Sequence, residues 1–480
     1  MDLISVFAVF IFIIGFYIRF IAAVEFPLWL DEASYYFISQ NKFIDLLLVN
    51  HWNVTQPPLY TLILHYWQLF GDNEIFLRFP SLIFSAVTLF ISYQLGKVLI
   101  NRFFGLIMLI IFSFSNFLIT LSWQVNVYSL VIMLVMISIY CYFFKTNNKN
   151  SALTLVVVNI LGFLSDYSFG WFILSLVIFE IINYFFISRR NKNYFIETKR
   201  NLSVLFMTCL FIVFWMILTL NKIPTALALS GWFSKKDMVE NALTSFLGIS
   251  DFLDFKTYFY LITAISGVIF GILNSNKIIK NFFIFILTAV FIPFITAYLF
   301  SIRIQPILLA RNLNIVGIGL LFGLSYLIVR RRTVISILIL SVYVFFSLSG
   351  FNHLSKTGVS KFNWREAGSV IYQNIIKDNW KSNIFLEVQN NEYNFQPMRY
   401  YLSQSEKKNK ITIGKLYFPK DIQEANYTVS KEFKDFYFNV WLFDFSNEEI
   451  NNLISFSARF NCKRKFLYPK KDTHFLKCEI

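Results

Sequence analysis

The chain has 480 residues, of which 56% are hydrophobic, 20% aromatic and only 15% charged, and its formal net charge is +15. Because soluble domains carry about 25% charged residues, this composition excludes a soluble globular chain and a disordered one. The charges are also unevenly placed, since residues 351–480 hold 34 of the 71 charged side chains. The sequence therefore predicts a multispanning membrane domain over residues 1–350 and a water-soluble domain over residues 351–480.

Apolar stretches that are long enough, or nearly so, to cross a bilayer predict an α-helical integral membrane protein with about eleven transmembrane helices. The first is interpreted as a retained span, because no basic segment precedes it and no small-residue cleavage site follows it. The predicted spans are residues 3–24, 79–100, 103–121, 127–144, 151–165, 168–188, 202–220, 257–274, 281–300, 305–329 and 333–350.

The basic residues predict the orientation of these spans. With a cytoplasmic N-terminus, the inner loops hold about fourteen Lys and Arg residues, about twice as many as the outer loops of the membrane domain. This asymmetry predicts a C-terminal domain outside the cytoplasm, and it explains the basic charge without a nucleic-acid partner. The abundance of Phe, Ile, Asn and Lys is typical of an AT-rich bacterial genome, so we expect a bacterial inner membrane.

Two predicted outer loops, residues 25–78 and 221–256, are too long to be simple connectors. Within the first, residues 31–49 and 57–70 have apolar side chains at near-helical spacing but are too short and polar to span, which predicts helices lying at the outer interface. The second carries Gly231-Trp232-Phe233 among charged residues, and it is either a lid or hairpin at the interface or a plain surface loop.

The tail has the pattern of a small α/β domain. An amphipathic helix opens it from Lys361, and strand-like runs follow at residues 384–388, 440–443, 465–468 and 474–478. Cys462 and Cys478 flank the last two runs, which predicts a disulfide across a hairpin in an oxidising compartment. The cysteines form no CxxC pair and the histidines no HExxH pair, so neither a zinc ribbon nor a zincin-type helix is indicated.

Adjacent carboxylates at the end of the first span are the best candidate for chemistry. Asp31 and Glu32 follow this span directly and begin a predicted interfacial helix. Ionisable groups at a membrane boundary indicate function by default, and two carboxylates suit proton abstraction or metal binding. The alternative is that Asp31 only caps the helix.

Five short motifs follow one another along the chain. In residue type, spacing and order they resemble motifs of the C-type (GT-C) membrane glycosyltransferases, which include protein O-mannosyltransferases, lipid A aminoarabinose transferases and bacterial relatives. The resemblance covers roughly the first 375 residues. The motifs are Trp29-Leu30-Asp31-Glu32-Ala33, Gln56-Pro57-Pro58-Leu59-Tyr60, Gly71-Asp72-Asn73-Glu74-Ile75-Phe76-Leu77-Arg78-Phe79-Pro80-Ser81, Pro306-Ile307-Leu308-Leu309-Ala310-Arg311-Asn312-Leu313 and Lys361-Phe362-Asn363-Trp364-Arg365-Glu366-Ala367.

The resemblance implies transfer of a sugar, with inversion, from a polyprenyl-phosphate donor to a lipid, glycan or protein acceptor at the outer face. It assigns catalysis to Asp31 and Glu32, with Asp31 as the base, and donor phosphate binding to Arg311. A structural or snorkelling role is the alternative for Arg311, and Arg78 is either a phosphate contact or an interfacial anchor. Candidates for lining the acceptor or donor cavity are Tyr35, His51, Gln56, Tyr60, Tyr128 and Asp166.

The chain departs from the family pattern in three places. Gln124-Val125-Asn126-Val127-Tyr128 stands where the family often has acid-Ala-Arg-x-Tyr, and Asp166-Tyr167 stands where it often has His-Tyr. Thr55 replaces an acid that binds metal in some relatives, so no cofactor is assigned and a divalent metal stays open.

Two other classes of protein stay open at this stage. A transporter or flippase of a lipid-linked precursor would also carry polar residues near the outer leaflet, but we find neither ionisable residues at the midplane nor repeated halves. A non-catalytic scaffold does not account for Asp31, Glu32 and Arg311. His51 and His65 are isolated, which also allows purely structural roles for them.

Overall fold

The computed structural model describes most of the membrane domain and parts of the tail. The described residues fall into eighteen ranges. These are residues 2–49, 56–144, 149–186, 192–222, 238–247, 254–273, 275–304, 306–331, 334–357, 364–365, 368–369, 372–373, 384–385, 396–409, 416–417, 438–443, 463–467 and 473–478.

The described chain is mostly helical, and its contacts divide it into two units. The first unit comprises Met1–Phe26 and Ile38–Lys361, and the second comprises Pro27–Phe37 and Phe362–Ile480. The helices up to the tail are α1 (Leu3–Glu25), α2 (Leu30–Ile38), α3 (Phe43–Leu47), α4 (Leu59–Trp67), α5 (Glu74–Leu99), α6 (Arg102–Phe114), α7 (Asn116–Ser122), α8 (Tyr128–Phe144), α9 (Lys149–Ser165), α10 (Phe169–Phe186), α11 (Lys192–Leu218), α12 (Met238–Leu247), α13 (Phe255–Leu273), α14 (Lys277–Arg303), α15 (Asn314–Arg331) and α16 (Val334–Thr357).

Six of the described helices are long and apolar enough to cross a membrane, and α6 with α7 makes a seventh if this bent pair is one span. The four shorter apolar helices α8, α9, α10 and α15 coincide with the remaining predicted spans. Their membrane crossing, and hence the total of eleven, stays a prediction. The protein is thus a multi-pass membrane protein, as the composition predicts.

Short polar side chains fix several helix starts. Asp2, Asn73, Asn101 and Asn276 each accept a hydrogen bond from the backbone N–H three residues later, which satisfies a donor that the helix leaves unpaired. The bond from Ser5 and a contact with Arg102 lower the pKa of Asp2 to about 2. The apolar helices therefore begin at polar caps.

Small residues bring α13 and α15 into close contact. A Cβ atom on Gly267 would lie 1.9 Å from the carbonyl oxygen of Gly323, and one on Gly323 would lie 2.2 Å from that of Ala264. Such distances are far below van der Waals contact, so only glycine fits at either position. This is the small-residue packing that membrane helices use in place of a hydrophobic driving force.

A buried arginine of α1 holds the break between α6 and α7, which are bent by 63°. Arg19 is 1% exposed, and its guanidinium donates to the carbonyl oxygens of Gly15, Phe112 and Ser113 at 2.8 to 2.9 Å. The last two belong to the C-terminal turn of α6, whose carbonyls lack partners within the helix. Arg19 therefore donates hydrogen bonds to carbonyl groups that have lost their helical partners at the break.

A second buried charge links three helices of the same unit. Glu180 of α10 is 1% exposed, and its Oε1 accepts hydrogen bonds from the hydroxyl of Tyr142 in α8 and, at 2.7 Å, from the amide of Asn201 in α11. Because polar groups inside a membrane protein must be paired within it, these bonds fasten α8, α10 and α11 together.

The second unit joins Pro27–Phe37, which includes all of α2 except Ile38, to the tail. Its tail contains α17 (Gln396–Asn409) and the strands β1 (Ile384–Phe385), β2 (Leu416–Tyr417), β3 (Phe438–Phe443), β4 (Lys463–Leu467) and β5 (Thr473–Cys478). β1 and β2 pair in parallel, and β5 lies between β3 and β4 with antiparallel pairing to both. Four of these strands overlap the predicted runs, while the α/β domain as a whole stays a prediction.

Candidate functional site

Asp31 and Glu32 lie in the first turn of α2, at the start predicted for an interfacial helix. Glu32 is 1% exposed, and its Oε2 accepts a hydrogen bond from the backbone N–H of Trp29 at 2.9 Å. This is the return bond of a capping box, in which the third helical residue pairs with the residue before the helix. Glu32 therefore makes one capping bond at the start of α2, and Asp31 is half-buried beside it.

Tyrosines of α17 hold the segment that leads into α2. The buried backbone N–H of Leu28 donates to the hydroxyl of Tyr401 at 2.7 Å. The ring of Tyr36 packs edge-on against that of Tyr400 at 5.0 Å, and Lys407 donates to the hydroxyl of Tyr36 at 3.4 Å. The tail thus supports both ends of the helix that carries the two carboxylates. The sequence pattern did not indicate these tail residues.

Arg311 lies in a 3-10 turn, Ala310–Asn312, which precedes α15. The predicted start of this span at residue 305 is wrong, because residues 306–309 form no helix and α15 begins at Asn314. Pro306 has no N–H for a helix, and the hydroxyl of Ser301 accepts the N–H groups of Ile307 and Leu308 at 3.0 Å each. The chain therefore turns before α15, and the turn carries Arg311.

Two residues singled out from the sequence lie near Arg311. The guanidinium carbon of Arg311 lies 6.0 Å from the ring centre of Tyr128, which is 5% exposed. Asp166 is 4% exposed, and its Oδ1 accepts the N–H of Ser168 at 2.6 Å. Burial raises the pKa of Asp166, while the bonds from Ser168 and the charge of Arg311 act in the opposite direction. The structure thus brings a cation, an aromatic ring and a buried carboxyl group together.

Arg78 is completely buried and is engaged with the end of α1. Its Nη1 donates to the carbonyl oxygens of Ala23 and Phe26 at 2.7 and 2.6 Å, and its guanidinium lies 4.7 Å from the ring centre of Trp123. These contacts satisfy the C-terminal carbonyls of α1 and indicate a structural role. The predicted phosphate contact of Arg78 stays a prediction.

The remaining cavity candidates have different surroundings. Tyr60 is fully buried with its hydroxyl 3.1 Å from that of Ser81, and Tyr35 is 3% exposed on α2. The Oε1 of Gln56 is buried and has no hydrogen-bond partner among the described residues. His51 lies outside the described residues. In the described part of the chain no three His, Cys, Asp or Glu side chains form a group that could hold a metal ion.

The predicted disulfide is only partly covered by the structure. Lys463 and Lys477, which are adjacent in sequence to Cys462 and Cys478, face each other across β4 and β5. Cys462 lies outside the described residues, so the disulfide stays a prediction. Cys141 and Cys209, which lie in predicted spans, form no disulfide among the described residues.

Comparisons with known proteins find a similar family and similar folds. Residues 55–230 match the profile of the family described as dolichyl-phosphate-mannose-protein mannosyltransferase. A search of curated proteins gives no significant match.

Solved structures match over nearly the whole chain. ArnT from Cupriavidus metallidurans bound to undecaprenyl phosphate has a TM-score of 0.61 at 10% identity, with 98% of this chain and 97% of that chain covered. An oligosaccharyltransferase from Archaeoglobus fulgidus tethered to an acceptor peptide has a TM-score of 0.55 at 8% identity, covering 91% and 68%. The archaeal oligosaccharyltransferase AglB from Archaeoglobus fulgidus, in complex with an inhibitory peptide and a dolichol-phosphate, has a TM-score of 0.51 at 9% identity, covering 91% and 69%.

These matches are to transferases and do not favour the transporter alternative. They also confirm the resemblance that the five motifs indicate. The chain is therefore a membrane protein with the C-type glycosyltransferase fold.

Proposed function

We propose that this protein transfers a sugar, with inversion, from a polyprenyl-phosphate carrier to an acceptor at the outer face of a bacterial inner membrane. The observation that supports this best is the group formed by Arg311, Tyr128 and Asp166. It occurs in a chain that shares its fold with a protein crystallised with undecaprenyl phosphate. The N-terminus would then be cytoplasmic and the tail would face the periplasm or the exterior.

Arg311 is proposed to bind the phosphate that leaves with the carrier. A guanidinium forks onto phosphate oxygens through two hydrogen bonds, and it stabilises the negative charge that develops as the bond to the sugar breaks. The 3-10 turn is consistent with this role, because irregular backbone at membrane depth is tolerated only where it is buried in protein or lines a water-filled cavity.

Asp31 is proposed to act as the general base. It would accept the proton of an acceptor hydroxyl while the hydroxyl oxygen attacks the anomeric carbon and the bond between that carbon and the phosphate oxygen breaks. Glu32 already pairs with the backbone of Trp29. We therefore assign Glu32 to the structure of the helix start and the proton transfer to Asp31.

The experiment incubates the purified chain in lipid nanodiscs with a panel of polyprenyl-phosphate sugars and detects released carrier by mass spectrometry. Asp31→Asn should stay folded and lose about 100-fold in turnover, the usual contribution of a positioned base. Arg311→Ala should weaken donor binding as well as turnover, because it loses the phosphate contact.

Asp45→Asn is the matched control, since Asp45 is also a half-buried aspartate in the first turn of a short helix. It should keep wild-type turnover. No carrier release by the wild-type protein from any donor, or full activity of Asp31→Asn, would overturn the proposed mechanism.

A further inference from the structure

Three of the buried polar side chains that lack hydrogen-bond partners in the described part of the chain lie on segments near Arg311. In native proteins nearly all such groups are hydrogen-bonded, so each exception requires an explanation. Within the described part of the chain, the Oδ2 of Asp166, both amide atoms of Asn314 and the hydroxyl of Ser129 have no hydrogen-bond partner. The three side chains are 4%, 3% and 2% exposed.

Each of the three groups is tied to Arg311 by sequence or by interaction. Asn314 begins α15, three residues after Arg311. Ser129 follows Tyr128, whose ring lies 6.0 Å from the guanidinium carbon of Arg311. The carboxyl group of Asp166 experiences the charge of Arg311 directly. The segments that hold Ser129 and Asp166 therefore come near the segment that holds Arg311 and Asn314, and all three lie in the same structural unit.

The chemistry of the three groups identifies the kind of ligand that would satisfy them. A carboxylate accepts hydrogen bonds, an amide donates and accepts, and a hydroxyl does either. A polyprenyl chain offers no partner, and a phosphate would repel the carboxylate of Asp166. A sugar ring carries several hydroxyl groups that donate and accept, and in a polyprenyl-phosphate sugar it is bonded directly to the phosphate.

We propose that Asp166, Asn314 and Ser129 form a subsite for the hydroxyl groups of the donor sugar, next to the phosphate bound by Arg311. This inference rests on the proposed function and extends it from the carrier to the transferred group. It also gives a role to Asp166, which stands where the family often has histidine. A site built to bond a hydroxyl discriminates strongly against ligands that lack it, so these residues would determine which sugar is accepted.

The test compares two ligands of the full-length protein in nanodiscs: undecaprenyl phosphate alone, and undecaprenyl phosphate linked to each of several hexoses and pentoses. Binding is measured by native mass spectrometry.

Two variants test the subsite directly. Asp166→Asn keeps the Oδ1 that accepts from Ser168, and Asn314→Leu keeps the approximate shape of the side chain. Each should weaken binding of the preferred sugar-linked carrier by about 10-fold or more and leave binding of the bare carrier within about twofold.

Ser129→Ala and Ser113→Ala form a matched pair. Both hydroxyls are buried without a described partner, but Ser113 lies on α6 against Gly15 of α1. Only Ser129→Ala should weaken binding of the sugar-linked carrier. Arg311→Ala should weaken both ligands, which separates the phosphate contact from the sugar contact.

Thermal stability distinguishes a subsite from a structural role. Because the amide of Asn314 has no described partner, Asn314→Leu should not lower the melting temperature, whereas a structural hydrogen bond would make it do so. Equal weakening of both ligands, or no change in either, would overturn the subsite alone. A wild-type protein that binds no sugar-linked carrier better than the bare carrier would overturn the subsite and the proposed donor together.

Discussion

Replacing Tyr401 with Phe removes one hydroxyl group from α17 and should slow sugar transfer. This hydroxyl accepts the backbone N–H of Leu28 at 2.7 Å. Leu28 is completely buried, so after the substitution its N–H has neither this partner nor water. A buried donor left unpaired costs about 1–3 kcal/mol.

The position of Leu28 connects this energy to catalysis. Leu28 lies three residues before Asp31, in the extended segment from which α2 starts. The relevant equilibrium is between the native position of this segment and displaced positions. A loss of 1–3 kcal/mol changes its constant by about 5- to 150-fold. We expect kcat to fall within this range, with the KM for the donor changing by less than about threefold, because Tyr401 acts through the position of Asp31.

Tyr372→Phe is the matched control for this measurement. Tyr372 belongs to the same unit and is 5% exposed, but its hydroxyl has no hydrogen-bond partner among the described residues. Steady-state transfer and thermal unfolding are measured for both variants. Wild-type kcat in Tyr401→Phe, or equal loss in Tyr372→Phe, would refute the reasoning.

Three further predictions concern helix packing, charge and orientation. Gly323→Leu should lower thermal stability by an amount typical of severe overpacking, about 3 kcal/mol or more, whereas Gly170→Ala should be nearly neutral because a Cβ there meets its nearest heavy atom at 4.0 Å. Asp166→Asn should raise the melting temperature at neutral pH, and the gain should shrink toward pH 4. The reason is that burial raises the pKa of Asp166, so the folded protein loses stability as the pH rises from the unfolded value toward the folded one. A reporter active only in the cytoplasm should be silent when fused after Ile480, and a strong signal would contradict the topology.

The helices and their positions could be predicted because hydropathy along the chain reports burial in a bilayer directly. The first span, for example, is predicted at residues 3–24 and observed at Leu3–Glu25. The interfacial helix predicted for residues 31–49 is instead two helices, Leu30–Ile38 and Phe43–Leu47. Ser39 to Lys42 interrupt it, and the hydroxyl and carbonyl of Ser39 bond to Gln68 and His65 of another segment. The break therefore depends on tertiary contacts, and the hydropathy pattern of a local segment gives no information about such contacts.

Candidate site residues could be selected from the sequence where a residue type is unusual for its surroundings. A carboxylate pair or a single arginine beside an apolar span is rare enough to indicate chemistry, and Asp31 and Arg311 were selected on that ground. The hydrogen bond from the N–H of Trp29 to Glu32 could not be predicted, because it depends on side-chain conformation in the first turn of α2. Tyr401 could not be found either, since its partner Leu28 lies 373 residues away in the chain.

The buried arginine of α1 has a consequence for how the protein is made. Arg19 is the seventeenth of the 23 residues of α1. An arginine at the centre of a span costs about 2.5–3.5 kcal/mol on insertion by the translocon, so this figure is the upper bound for Arg19. Two of the three carbonyls bonded to Arg19 lie 93 and 94 residues later, so they have not been synthesised when α1 emerges from the ribosome. The mean hydropathy of 2.5 in α1 must therefore drive insertion without them. Until α6 arrives, the nascent chain holds an incompletely paired charge in the lipid, and any defect that delays α6 would expose this charge to membrane quality control.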